Sequence, residues 1–106
     1  MANVIVNRVT VGYDSESLTV DTNVNVLTPS KYQDSITNGG ASEAFITLDT
    51  ANMRYRYDGG TPTSTVGHIL NDGGVLVLKG QNQMSNFKFI QTGASSGSVY
   101  VTYERP

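Results

Sequence analysis

Apolar residues in this chain recur at every second position in short runs, and clusters of Gly, Asn, Asp and Ser separate the runs. A period of two puts one row of side chains on a buried face and the next in water, the mark of a half-buried strand. The clearest run is Met53-Arg54-Tyr55-Arg56-Tyr57-Asp58, with Met53, Tyr55 and Tyr57 on one side and Arg54, Arg56 and Asp58 on the other. Asp58-Gly59-Gly60 then turns sharply, because glycine accepts positive φ at little steric cost. Pro62 fixes its own φ and biases Thr61 towards an extended conformation, and the chain passes Gly67 into Ile69-Leu70.

The same reading extends along the chain. Val4 and Val6 share one parity, and Val9, Val11 and Tyr13 share the other. The change through Asn7-Arg8 reads as a bulged strand, with a terminal arm over residues 1–8 as the other reading. Asp14-Ser15-Glu16-Ser17 reads as a turn. Leu18 to Val20 and Val24 to Val26 form either one long strand or a hairpin turning at Asp21 to Asn23. Thr28 or Ser30 caps a short helix over Lys31 to Ile36, the only helix expected, and Gly39 to Ser42 is a flexible loop. Glu43 to Thr50 buries Ala44, Ile46 and Leu48, and Ala51-Asn52 turns it into the Met53 run as a hairpin.

Asn71-Asp72-Gly73-Gly74 is a turn into Val75-Leu76-Val77-Leu78, apolar on both sides and therefore expected as a central strand covered on both faces. Lys79 to Gln83 is a polar connection. Phe87 and Phe89 are expected inside with Lys88 exposed, and Val99, Val101 and Tyr103 alternate with Tyr100, Thr102 and Glu104 in a closing strand. The pattern predicts an all-β protein: an antiparallel β-sandwich or jelly roll of about seven to eight short strands, with at most one short helix near 30–37.

Composition agrees. The 106 residues leave room for one core, so residues 1–106 read as a single sandwich domain, and Val, Thr and Ile suit a pleated sheet. The chain has no cysteine, so neither disulfide nor thiolate metal site is available, which favours synthesis in a reducing cytoplasm. No segment reads as a signal peptide or a membrane span. A formal net charge of -2 offers no general attraction to nucleic acid or anionic lipid.

Catalytic chemistry finds little to build on. His68 is the only histidine, and a Ser64, His68 and Asp58 arrangement has no local signature behind it. His68 reads instead as a packing residue at a strand entry beside Gly67. The Asp58-Gly59-Gly60 and Asn71 to Gly74 loops lack the density of oxygens that calcium requires. No cofactor is expected. Sugar stacking on Tyr13, Tyr55, Tyr57, Tyr100 or Tyr103 competes with a core role for Tyr55, Tyr57 and Tyr103. Arg54 and Arg56, with Lys88 nearby, form either a stripe that reads an acidic group on a partner or a solvated face paired with cross-strand carboxylates.

The stretch Arg54-Tyr55-Arg56-Tyr57-Asp58-Gly59-Gly60-Thr61-Pro62-Thr63 resembles a pattern in small virion proteins of tailed bacteriophages. Gly67-His68-Ile69-Leu70, Val75 to Leu78 and Asn86-Phe87-Lys88-Phe89-Ile90 are similar to the same group, so the resemblance covers about residues 43–103. It implies a structural protein without catalytic residues: a capsid decoration or cement protein that bridges neighbouring subunits of the major capsid protein at the capsid surface, as a homotrimer. The alternative it implies is a tail, fibre or head-tail component acting as a carbohydrate-binding or adhesion module. The partner-binding residues expected are Arg54, Arg56, Asp58, Thr61 and Tyr100.

Overall fold

The alternation read from the sequence becomes two sheets whose apolar rows meet. A computed structural model describes residues 10–33 and 40–105. Among them are eight strands and two short helices: β1 (Val11–Val20), β2 (Asn25–Val26), α1 (Pro29–Tyr32), β3 (Glu43–Asp49), β4 (Asn52–Arg56), β5 (His68–Leu70), β6 (Val75–Lys79), α2 (Gly80–Asn86), β7 (Lys88–Thr92) and β8 (Gly97–Arg105). One sheet has the order β1-β8-β3-β6 and the other β2-β7-β4-β5, and every pairing is antiparallel. This order, with successive strands mostly assigned to opposite sheets, is that of an eight-stranded jelly roll.

Between the sheets lie Ala44, Ile46 and Leu48 of β3, Val99, Val101 and Tyr103 of β8, Met53 of β4 and Phe89 of β7, with Phe87 beside them, all buried. These are the positions that the period-two pattern turns inward. Phe87 and Phe89 meet at 5.4 Å between ring centroids, and Tyr55 reaches Phe87 at 5.7 Å.

Several expectations need correction. Asp14 to Ser17 is no turn: it lies inside β1, which bulges between Gly12 and Asp14 and leaves Tyr13 as the extra residue. Lys31 draws in Asp14 at 3.2 Å, and the Tyr13 hydroxyl donates to the Lys31 carbonyl at 2.8 Å, so polar side chains that look like turn formers brace a strand here. The chain from Asp21 to Asn23 makes no hairpin, since β1 and β2 belong to different sheets. Likewise β3 and β4 do not pair. Thr50, at φ 73°, and buried Ala51 carry the chain from one sheet to the other.

Val75 to Leu78 is not central. β6 is an edge strand with only Leu78 fully buried, while Val75 and Val77 face solvent. Gly40 to Ser42 is pinned, not flexible: Ala41 N–H donates to the Tyr32 carbonyl and Ser42 N–H to that of Glu104. The expected helix is shorter and earlier, with Pro29 in its first turn, where a missing N–H costs nothing. Thr28 is its N-cap, but the hydroxyl donates to Glu16 Oε1 at 2.6 Å instead of capping. Residues 34–36 of that expectation lie outside the described residues, as do the arm over 1–8 and the bulge at Asn7-Arg8.

A second helix, α2, replaces the polar connection, so the limit of one helix fails. Gly80 enters it at φ 82°, Gln83 Oε1 accepts the Lys79 N–H at 2.7 Å, and Met84 is buried. One buried side chain and one hydrogen bond from the Lys79 N–H to Gln83 hold this mostly polar segment in place.

Candidate functional site

The pairing registers put Phe45 beside Val77 and Thr102, and Thr47 beside Val75 and Tyr100. Since Ala44, Ile46, Val99 and Val101 point inward, this second row points out. Phe45 is 39% exposed, Val77 39%, Val75 55% and Tyr100 53%. The outer face of the β1-β8-β3-β6 sheet is therefore an apolar strip open to solvent, continued across Ser15 and Ser17 of β1 and bounded on the other side by β6, an edge strand among the described residues. The Tyr100 hydroxyl donates to Ser15 Oγ at 2.8 Å, which fixes the ring on that surface.

The outer face of the opposite sheet is organised differently. Arg54 and Arg56 do alternate outward on β4, but the segment from Asp58 to Gly67 folds back over them. Arg54 Nη1 donates to the Gly67 carbonyl at 3.0 Å, and its Nε is buried without a hydrogen bond. Lys88 Nζ reaches the Gly59 carbonyl at 3.4 Å, and Thr92 Oγ1 donates to that of Ser64 at 2.7 Å. Pro62 is buried. Arg56 forms a two-bond pair with Asp58, at 3.0 and 2.8 Å. A Cβ at Gly60 would lie 2.2 Å from the Arg56 guanidinium carbon, so any larger residue there would make the arginine end shift.

Asp58 also accepts the Gly60 N–H at 3.0 Å. The hydrogen bonds from Arg56 and Gly60 hold its carboxyl well below the ordinary range, at about 2, so the charge persists in mild acid. Thr61 is exposed beside a groove shared with Val24, Pro62 and Ile90. The expected contact residues thus separate: Arg54, Arg56, Asp58 and Thr61 belong to the loop side and Tyr100 to the outer face of the other sheet.

At the end of β4 the chain opens a cavity of about 380 Å³ lined by Arg56, Tyr57, Asp58, Val66, Gly67 and His68. Tyr57 and His68 stack at 5.9 Å and 24° from parallel, Tyr55 and Tyr57 at 6.5 Å and 23°, and Tyr55 in turn meets Phe87, so the rings form one connected aromatic cluster. Tyr57 is exposed, not a core residue. Among the described residues no hydrogen bond joins Ser64, His68 and Asp58: the Asp58 carboxylate is taken by Arg56 and Gly60, and His68 packs against Tyr55 at 5.4 Å.

Comparison with protein-family models, curated proteins and solved structures found no match to this chain.

What the surfaces offer follows from their chemistry. The strip around Phe45 and Val77 gains by leaving water and, among the described residues, has an edge strand beside it, two properties of a protein-docking surface. Val75 and Val77 escape sequence reasoning because a four-residue apolar run reads as a strand covered on both faces, and Phe45 because only the inward row of its strand carries the pattern. For Phe45 the signal is present: it is the one apolar residue on the outward parity of β3, among Glu43, Thr47 and Asp49.

Proposed function

We propose that this chain is a structural protein of a bacteriophage virion, a capsid decoration protein that bridges neighbouring subunits of the major capsid protein and works as a homotrimer. The observation that carries the reading is the exposed apolar strip of Phe45, Val75, Val77 and Tyr100 on one sheet of the jelly roll. The likeness of residues 43–103 to small tailed-phage virion proteins supports it from the sequence. Fold-level analogy adds weight, since jelly rolls serve widely as viral capsid domains.

The mechanism needs no reaction. Docking the strip on a capsid subunit buries apolar surface, and whatever binds only the closed shell stabilises it by mass action. A stable contact of this kind buries on the order of 1,200–2,000 Å² in total, and in this reading neighbouring copies and more than one capsid subunit share it.

Light scattering after size exclusion tests the trimer, and co-sedimentation with expanded capsids of the encoding phage tests decoration. Val77→Lys, at an exposed site where the fold tolerates change within about 0.5 kcal/mol, is expected to abolish co-sedimentation. Undiminished binding by folded Val77→Lys and Phe45→Ser would remove the strip from the interface.

A further inference from the structure

The cavity at the end of β4 stands apart from the strip and has the makings of a ligand site of its own. Its volume of about 380 Å³ falls within the roughly 300–1,000 Å³ usual for small-molecule pockets. One wall is aromatic: Tyr57 and His68, both exposed, stand nearly parallel and are anchored through Tyr55 and Phe87 to the core. These ring contacts are in place without a ligand, which lowers the ordering cost of binding. Val66, half exposed, adds a second apolar patch.

The remaining wall is polar and paired. Arg56 uses Nε and Nη2 on the two carboxylate oxygens of Asp58, and Gly60 N–H holds Oδ1. This fixes a planar pair that still presents Nη1 as donor and, on a side chain 62% exposed, carboxylate lone pairs as acceptors. Its charges cancel, so neither an anionic nor a cationic ligand is favoured. A ligand with an apolar face for the rings and adjacent hydroxyl groups for the pair meets both walls at once.

We propose that the cavity of Arg56, Tyr57, Asp58, Val66 and His68 binds a neutral sugar ring, whose C–H face lies on Tyr57 and His68 and whose vicinal hydroxyls bond to Asp58 and Arg56. The arrangement is independent of the docking strip, which lies on the outer face of the other sheet.

The test is saturation-transfer NMR on the whole chain with D-glucose, D-galactose, D-mannose and N-acetyl-D-glucosamine, and with N-acetylneuraminic acid as the anionic comparison. At least one neutral sugar is expected to bind saturably in the millimolar range, with transfer concentrated on ring C–H protons. Tyr57→Ala should weaken that binding about tenfold or more, the effect of losing an aromatic platform, while Tyr57→Phe retains it. His68→Ala serves as a second probe of the wall should Tyr57→Ala fail to fold, and Asp58→Asn should weaken binding as well. Val77→Lys, on the strip, should leave it unchanged, so failure here and failure of capsid docking are separately readable. No saturable binding by any neutral sugar, preference for N-acetylneuraminic acid, or full binding in Tyr57→Ala and His68→Ala would each overturn the assignment.

Discussion

Tyr103 shows how much one side chain on the closing strand carries. It is fully buried, and its hydroxyl donates to Glu16 Oε2, which also accepts the Thr28 N–H at 3.1 Å. Burial first, and the Glu16 carboxylate second, push its pKa far above the ordinary phenol value, and burial raises Tyr32 and Tyr55 too. In the unfolded chain these groups release protons at about pH 10, whereas in the folded chain they keep them. Between the two values the folded state binds more protons, so stability falls as pH rises beyond about 10 and is indifferent to these groups below it. Urea midpoints at pH 7 and pH 11 should show that loss. Tyr103→Phe should cost about 1–2 kcal/mol at pH 7, for the hydrogen bond left unmade, and flatten the alkaline decline. An alkaline decline as steep as that of the parent chain would rule Tyr103 out as its main source. The phenol's burial was legible from the alternation of β8. Its bond to Glu16 was not, because Glu16 sat in a segment that reads as a turn until Lys31 and Thr28 are seen beside it.

Among the elements, α2 and β6 show why local pattern misleads at a sheet's edge. Four apolar residues in a row say that both faces of β6 avoid water, yet among the described residues only the inner face is covered, and Val75 and Val77 stay exposed. α2 has a single buried apolar residue and a leading glycine, so nothing in its composition advertises a helix. Its signal was the spacing of Lys79 and Gln83, four apart, in which the glutamine oxygen takes up an N–H that the helix start would leave orphaned. Gln83→Ala should therefore cost about 0.5–2 kcal/mol, the range for losing a helix cap. Gly80→Ala should cost about 1–2 kcal/mol for a different reason: no atom lies within 4 Å of the added Cβ, and the penalty is that of placing an L-residue at φ 82°. Thermal and denaturant midpoints of the two variants check this. Gly97→Ala at the start of β8 is the contrasting case, because its Cβ would lie 2.2 Å from the Asp49 carbonyl oxygen. Overpacking against backbone should cost about 1–3 kcal/mol.

At the scale of the whole molecule the jelly-roll order decides how the chain must fold. Among the pairings of the described strands, only β4 with β5 joins neighbours in sequence; β1 waits for β8, β2 for β7 and β3 for both β6 and β8. Alternation placed Ala44, Ile46, Leu48, Met53, Phe87, Phe89, Val99, Val101 and Tyr103 inward correctly, while Val11, Val24, Val26 and Tyr57 stay exposed. Strand order is a property of pairings that the period of two does not encode, so the hairpins read from short turns became crossings between sheets. The kinetic consequence is direct. Closing long loops costs entropy before any distant pair repays it, so refolding should be slow, in the millisecond-to-second range seen for sheets built from non-local pairs. Ile46 faces Val101 in register on the central pair β3–β8, and both are fully buried. Ile46→Ala should cost about 2–5 kcal/mol at equilibrium. If docking β8 beside β3 is the step that closes the sandwich, much of that cost should appear as slower refolding. Gln83→Ala, on a helix that only finishes the end of the sheet, should instead speed unfolding. Stopped-flow chevrons of the two variants separate these outcomes. Microsecond refolding, or an Ile46→Ala variant altered only in its unfolding limb, would mean that the chain first assembles around the local β4–β5 pair and adds the closing strand last.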